Sequence, residues 1–166
     1  MAGAGNISYA SSALHTKAIA AYKSVLHAAQ LGMSTIILET DSIVLANALK
    51  SPNLDRSIIG ALVVQIRDIM QIEFSFCDVS LCNRSCNKVA DALAVHGAYV
   101  LESGSDVLMS HVPLYVMNLV SGDLPKNASV FPTLLHELHH GATPPWSIWS
   151  RWYCLVHNSA SALGMG

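Results

Sequence analysis

Residues 31–49, LGMSTIILETDSIVLANAL, contain the clearest indication of fold in this chain. Gly32 is a residue that commonly ends a helix, and the β-branched, apolar run STIILET that follows predicts a short buried strand. Asp41 and Ser42 then provide capping residues for a second helix over residues 43–49. A strand enclosed by two helices within so few residues indicates an α/β layer architecture.

Periodic patterns on both sides extend this order of elements. Ser11 and Ser12 can cap a preceding helix. Its apolar positions follow the 3.6-residue period and comprise Ile19, Tyr22, Val25, Leu26 and Ala29. Farther along, the spacing of apolar residues predicts a helix from about Ser57 to Gln71, a strand over Glu73–Leu81 and a last helix from Asn87 to about Leu101. The order helix–strand–helix–helix–strand–helix favours parallel pairing of the two strands, because parallel neighbours need a crossover connection.

Composition excludes several classes of protein. The chain has 166 residues, of which 52% are hydrophobic and 12% are charged, about half of the ~25% charged residues usual in soluble domains. Nine basic against eleven acidic residues argue against a polycationic nucleic-acid coat and against a polybasic membrane anchor. The longest apolar run, residues 58–66, is far shorter than the ~18 residues that a spanning helix needs, so we expect no membrane partner.

The N-terminus and the cysteines indicate the cellular environment. No positively charged region followed by an apolar core begins the sequence, so we expect no secretory signal. The four cysteines, Cys77, Cys82, Cys86 and Cys154, form no C-x-x-C pair and therefore do not predict a zinc knuckle. We expect an intracellular protein with reduced thiols, in a compartment that the sequence leaves open.

The composition changes after Pro125. Residues 126–166 hold all three tryptophans, four of the eight histidines and three charged residues, with no sustained periodicity. We therefore expect two regions, a partial folded domain over residues 7–125 and a disordered tail rich in His, Trp and Pro over residues 126–166.

Two carboxylates are the candidate functional groups. Asp41 directly follows the first predicted strand, and the carboxyl ends of strands are where open α/β sheets place their sites. Asp91 lies within the otherwise apolar helix NKVADALA, where a carboxylate on the buried face would need a partner. Each also has an ordinary explanation, since Asp41 could be a helix N-cap and Asp91 an exposed helix position.

Three stretches carry a resemblance to a known family: residues 31–41 (LGMSTIILETD), residues 46–49 (ANAL) and residues 87–94 (NKVADALA). They resemble the plant reverse-transcriptase-like branch of the ribonuclease H family. Members of that branch carry a helix ending in L-G, a strand ending in E-(S/T)-D-S and a later V-A-D-x-L-A helix. The resemblance extends from about Ile7 to Leu124, with the stretches in the same order and at similar spacing.

The resemblance implies a five-stranded mixed sheet and cleavage of the RNA strand of an RNA–DNA hybrid. In the family, four carboxylates hold two divalent ions, usually Mg²⁺, that activate a water and stabilise the leaving oxygen. Asp41 and Asp91 match two of these catalytic and metal-binding carboxylates. Arg84 and Asn87 match the loop before the last helix, and with Lys88 they are the predicted nucleic-acid contacts. The implied partner is an RNA–DNA hybrid or RNA; the oligomeric state is left open.

Departures from the family pattern predict impaired chemistry. Lys17 stands where the family's first helix carries a catalytic Glu, and an ammonium beside the site opposes Mg²⁺ binding. Leu81 stands where the family often has a His. The family's first Asp lies on a first strand, and we expect this chain to begin after that strand. We therefore expect an RNase H-like fold lacking the first three strands, with two parallel strands and flanking helices, and with hybrid cleavage lost or impaired.

Two alternatives remain open at this point. One is an active nuclease whose missing strands come from an upstream segment or a partner chain. The other is a zinc hydrolase, because His136, Glu137 and His140 fit H-E-x-x-H, a motif that places two His on one helix face with a Glu base between them. The downstream sequence supplies no acidic third ligand for such a site, so adventitious metal binding by a His-rich tail is the simpler interpretation of this motif.

Overall fold

A computed structural model of the chain describes residues 2–53, 57–83, 85, 88–102, 104, 106–109, 113–123 and 150–153. In this part of the chain the elements follow in the order β1 (Ala2–Gly5), α1 (Ala13–Gln30), β2 (Thr35–Thr40), α2 (Ile43–Lys50), α3 (Gly60–Glu73), β3 (Phe76–Leu81), α4 (Lys88–Val100), β4 (Asp106–Met109), α5 (Leu114–Asp123) and β5 (Ser150–Tyr153).

The strand β2 lies at the centre of a three-stranded sheet with the order β3-β2-β5. It pairs in parallel with β3 over its whole length, from Thr35 opposite Phe76 to Thr40 opposite Leu81. On its other edge it pairs in parallel with β5. The predicted α/β class, with two parallel strands and flanking helices, is therefore confirmed. A separate antiparallel pair joins β1 to β4.

The residues predicted to begin and end α1 lie at its two ends. Ser12 is the N-cap, and its hydroxyl accepts a hydrogen bond from the backbone N–H of His15 at 3.1 Å. Gly32 follows the helix with φ of +69°, a left-handed conformation that glycine adopts without steric cost. The chain can therefore turn directly from α1 into β2.

Several boundaries and elements differ from the prediction. α3 continues to Glu73, so β3 begins only at Phe76. The sequence patterns did not predict β1, β4, α5 or β5. β1 has the sequence AGAG, which carries no β-propensity, and β5 is four residues within the region predicted to be a disordered tail. The remainder of residues 126–166 lies outside the described residues.

The larger hydrophobic cluster is formed by α1, α2, α3 and the two long strands. Its largest fully buried side chains include Leu38 of β2, Leu45 of α2 and Ile66 of α3. On α1 the predicted apolar stripe is half-buried apart from Val25, and alanines take the most buried positions. Small side chains let α1 approach α3 closely, which a pattern of large apolar residues does not reveal.

A smaller cluster joins α4 to α5 through Val89, Leu93 and Val116. The rings of His96 and Tyr115 stack across the same two helices, with their centroids 5.4 Å apart. In the part of the chain that the structure describes, no helix has both the length and the apolar character needed to cross a membrane.

The backbone of β1 at Gly5 comes very close to Gly97 of α4. A Cβ placed on Gly97 would lie 2.5 Å from the carbonyl oxygen of Gly5 in β1. We expect Gly97→Ala to displace β1 from α4, because overpacking costs about 1–3 kcal/mol and exceeds the ~1 kcal/mol that alanine adds to helix propensity. Hydrogen exchange should therefore accelerate at residues 2–5.

The larger cluster provides the internal control for Gly97→Ala. Exchange at residues 35–40 of β2 should stay unchanged, because β2 belongs to the other sheet. Unchanged protection of β1 in the variant would show that the contact between Gly97 and Gly5 is not made in solution.

Candidate functional site

A cleft of about 420 Å³ opens at the carboxyl ends of β2 and β3. Its described lining comprises Asp41, Ile43, Leu81, Cys82 and Asn83. The two strands are held together at this end by the backbone N–H of Cys82, which donates to the carbonyl of Thr40 at 3.0 Å. This is the end of a parallel sheet at which α/β proteins place their sites.

The side chain of Asp41 is engaged by Lys17. The ammonium Nζ of Lys17 donates to Oδ1 of Asp41 at 2.6 Å. The contact is largely shielded from solvent, since the exposed fractions of the two side chains are 24% for Lys17 and 11% for Asp41. α1 therefore places a cation directly on the strand-end carboxylate.

The helix-capping explanation of Asp41 is wrong. Ser42 is the N-cap of α2, and its hydroxyl accepts a hydrogen bond from the N–H of Leu45 at 3.3 Å. The hydroxyl of Thr40 accepts in turn from the N–H of Ser42 at 3.2 Å. Because the hydroxyls of Thr40 and Ser42 make these turn contacts, the carboxylate of Asp41 pairs with Lys17 instead.

The residues at this cleft do not fit a divalent-metal centre. A Mg²⁺ ion bound to Asp41 would lie ~2.1 Å from its oxygen, close to the ammonium already there. Charges of +2 and +1 about 4 Å apart repel by about 2 kcal/mol in water and about 8 kcal/mol at an effective dielectric constant of 20. Asp41 is the one carboxylate that the described residues contribute to the lining. Among those residues, no group of three or more His, Cys, Asp or Glu could hold a metal ion.

The other predicted site residues lie elsewhere or outside the described residues. Asp91 is half-buried in the first turn of α4, where the helix dipole favours a negative charge, and it is not among the residues that line the cleft. Asp91 is therefore not the exposed helix position that the sequence also allowed. Lys88 is exposed at the first residue of α4. Arg84 and Asn87 lie outside the described residues, so their predicted contacts stay predictions.

The H-E-x-x-H motif also falls outside the described part of the chain. His136, Glu137 and His140 are not described. The zinc hydrolase alternative therefore stays a prediction from sequence.

A buried carboxylate two residues before Asp41 was not predicted from the sequence patterns. Glu39 in β2 is buried, with 6% of its surface exposed, and it has a polar or electrostatic partner. Buried carboxylates need such compensation. Its signal in the sequence was a charged residue at the end of an otherwise apolar strand, two residues before Asp41.

The described cysteines are free thiols. Cys77 and Cys82 are both half-buried and form no disulfide. Burial, reinforced by the negative charge of Asp78, raises the pKa of the Cys77 thiol to about 11. A thiol with so high a pKa stays neutral near pH 7 and is a poor nucleophile and metal ligand. Cys77 therefore acts as a small core residue of β3.

Fold and site together define an α/β domain with a parallel strand pair and an acidic residue at the strand end, here neutralised by a lysine. Comparison with known families matches residues 1–97 to the reverse transcriptase-like family. The chain belongs to this RNase H-like, nucleic-acid-related family. Searches of curated proteins and of solved structures gave no match.

Proposed function

We propose that this chain is an RNase H-like nucleic-acid-binding domain of the plant reverse-transcriptase-like branch that has lost hybrid cleavage. The observation that carries the proposal is the contact between Lys17 and Asp41. Members of this fold family use Mg²⁺, and the ion pair takes the carboxylate that such an ion would need. Membership of the family over residues 1–97 supports association with nucleic acid.

Cleavage is tested with a labelled RNA strand in an RNA–DNA hybrid. We expect no product above background with millimolar Mg²⁺ or Mn²⁺, and the same result for Asp41→Asn, because the carboxylate already has a cation partner. An active ribonuclease H on the same substrate is the positive control. Cleavage by the wild-type chain that Asp41→Asn abolishes would overturn the loss of activity and restore the alternative of an active nuclease.

Binding is tested on the same hybrid by fluorescence anisotropy. Lys88 is the exposed predicted contact, whereas Lys17 and Arg67 are engaged within the fold, Arg67 with the backbone carbonyls of Ser51 and Asn53. We expect Lys88→Ala to weaken binding about three- to tenfold and to reduce the salt dependence by about one unit of slope, as the loss of one phosphate contact does.

The matched control for Lys88→Ala is Lys50→Ala. Lys50 is also exposed but lies at the last residue of α2 rather than at the first residue of α4. Equal effects of the two substitutions would argue for nonspecific charge attraction, and absence of binding would contradict the nucleic-acid part of the proposal.

A further inference from the structure

The second edge of β2 is covered by a segment distant in sequence. Ser150–Tyr153 pairs in parallel with Ile36–Glu39, whereas β3 covers all six residues of β2 on the opposite edge. Residues 36, 38, 39 and 40 of β2 are buried. A buried strand whose backbone groups on one edge lacked partners would be strongly destabilised, so this edge requires a strand.

Nothing in the local sequence commits that edge to one particular segment. β5, which pairs with this edge, is four residues long and is attached through backbone hydrogen bonds, which any extended chain can make. Residues 124–149 separate it from α5, and a chain of about 26 residues can span at most ~90 Å. The segment can therefore reach β2 of its own chain, and the same segment of another molecule can make the same backbone hydrogen bonds without being limited by that connection.

We propose that this edge of β2 is a strand-acceptor site, filled within the chain by Ser150–Tyr153 and open to the same segment of a second copy. The two occupants make identical backbone hydrogen bonds, so effective concentration selects between them. Attachment to the same chain gives the intramolecular segment an effective concentration on the order of millimolar. The intramolecular strand therefore prevails in dilute solution, and a second copy competes for the edge only when its concentration approaches that value. This proposal does not depend on the proposed function.

Proline substitutions in the full chain weaken the intramolecular strand. In a ladder, N–H groups of successive residues point to opposite sides, so either Arg151 or Trp152 donates to β2. We therefore use Arg151→Pro and Trp152→Pro as separate variants, since proline removes the donor. Ala142→Pro is the control, because it places a proline in the same C-terminal region but outside β5.

Hydrogen exchange at residues 35–40 is the first measurement. In at least one of the two β5 variants, we expect the β2 amides facing β5 to exchange at least about tenfold faster than in the wild type, because an opening that costs 1.4 kcal/mol less is ten times more frequent. Exchange should be unchanged in Ala142→Pro. Equal exchange in all chains would overturn the assignment of β5 as the cover.

Binding of a labelled peptide is the second measurement. The peptide comprises residues 148–154 with Cys154→Ser, and the same peptide with Trp152→Pro and Arg151→Pro is its control. We expect it to bind the affected β5 variant at least about tenfold more tightly than the wild type. If β5 leaves the edge free in about a tenth of wild-type molecules, the apparent affinity of the wild type is lowered tenfold. Equal affinity for both chains, or binding to neither, would overturn the proposal.

Discussion

A Lys17→Met variant is expected to unfold with a free energy about 2–3 kcal/mol lower than that of the wild type. Removing one partner of a fully buried ion pair costs about 3–5 kcal/mol, and exposed pairs contribute about 0–1 kcal/mol. The pair between Lys17 and Asp41 lies between these limits, because both side chains are mostly shielded from water. Methionine keeps an apolar stem of similar length, so the loss reports mainly on the charge.

A double-mutant cycle separates the ion pair from other effects. Asp41→Asn alone should cost less, about 1 kcal/mol, because the more exposed ammonium can regain contact with water. The double variant Lys17→Met with Asp41→Asn should be more stable than the sum of the single effects predicts, with a coupling energy of about 1–2 kcal/mol. Urea unfolding of the four chains provides the measurement.

Lys50→Met is the control for this cycle. Lys50 is exposed at the end of α2, so its replacement should change the free energy of unfolding by no more than about 0.5 kcal/mol. Strict additivity of the Lys17 and Asp41 substitutions would show that the ammonium and the carboxylate do not interact in solution. The ion pair could then no longer account for exclusion of a metal ion at Asp41.

Ile66→Ala is expected to lower the free energy of unfolding by about 3–4 kcal/mol. Ile66 lies on α3, is fully buried in the larger cluster and belongs to the helix that packs on α1. Truncation of a buried isoleucine to alanine removes three carbon atoms and leaves a cavity, and such substitutions cost about 2–5 kcal/mol. The effect follows from burial, because alanine is the better helix former.

Ile72→Ala on the same helix is the matched control. Ile72 is 77% exposed, and its replacement should change stability by less than about 0.5 kcal/mol. Both variants change helix propensity equally, so their difference isolates the burial of Ile66. Comparable losses in the two variants would contradict the orientation of α3 on the core.

The negative charge of Asp41 is balanced by Lys17 of the same domain. A strand-end carboxylate in an α/β sheet is costly to bury unless a cation accompanies it. In a metal-dependent nuclease the cation is a divalent ion, and here a side chain of the domain itself supplies the charge. The carboxylate is therefore balanced without a metal ion, and we expect the fold not to depend on one.

Much of the architecture could be read from local patterns. The N-cap at Ser12 and the turn at Gly32 followed from the sequence because each depends on residues within one turn. The parallel pairing of β2 with β3 followed from the order of the elements, because parallel neighbours need a crossover connection. The family could be recognised for the same reason, since its motifs are short and contiguous. The position of Asp41 at the carboxyl end of β2 belongs to this group.

Other features required the packed chain. Lys17 and Asp41 are 24 residues apart, and periodicity does not specify which side chain of α1 meets the end of β2. The placement of Asp91 away from the lining of the cleft, and the pairing of β5 with β2, likewise depend on contacts between distant segments. Local propensity acts over a few residues, whereas these contacts depend on how helices and strands pack together, so the ion pair that neutralises the candidate site emerged only from the folded chain.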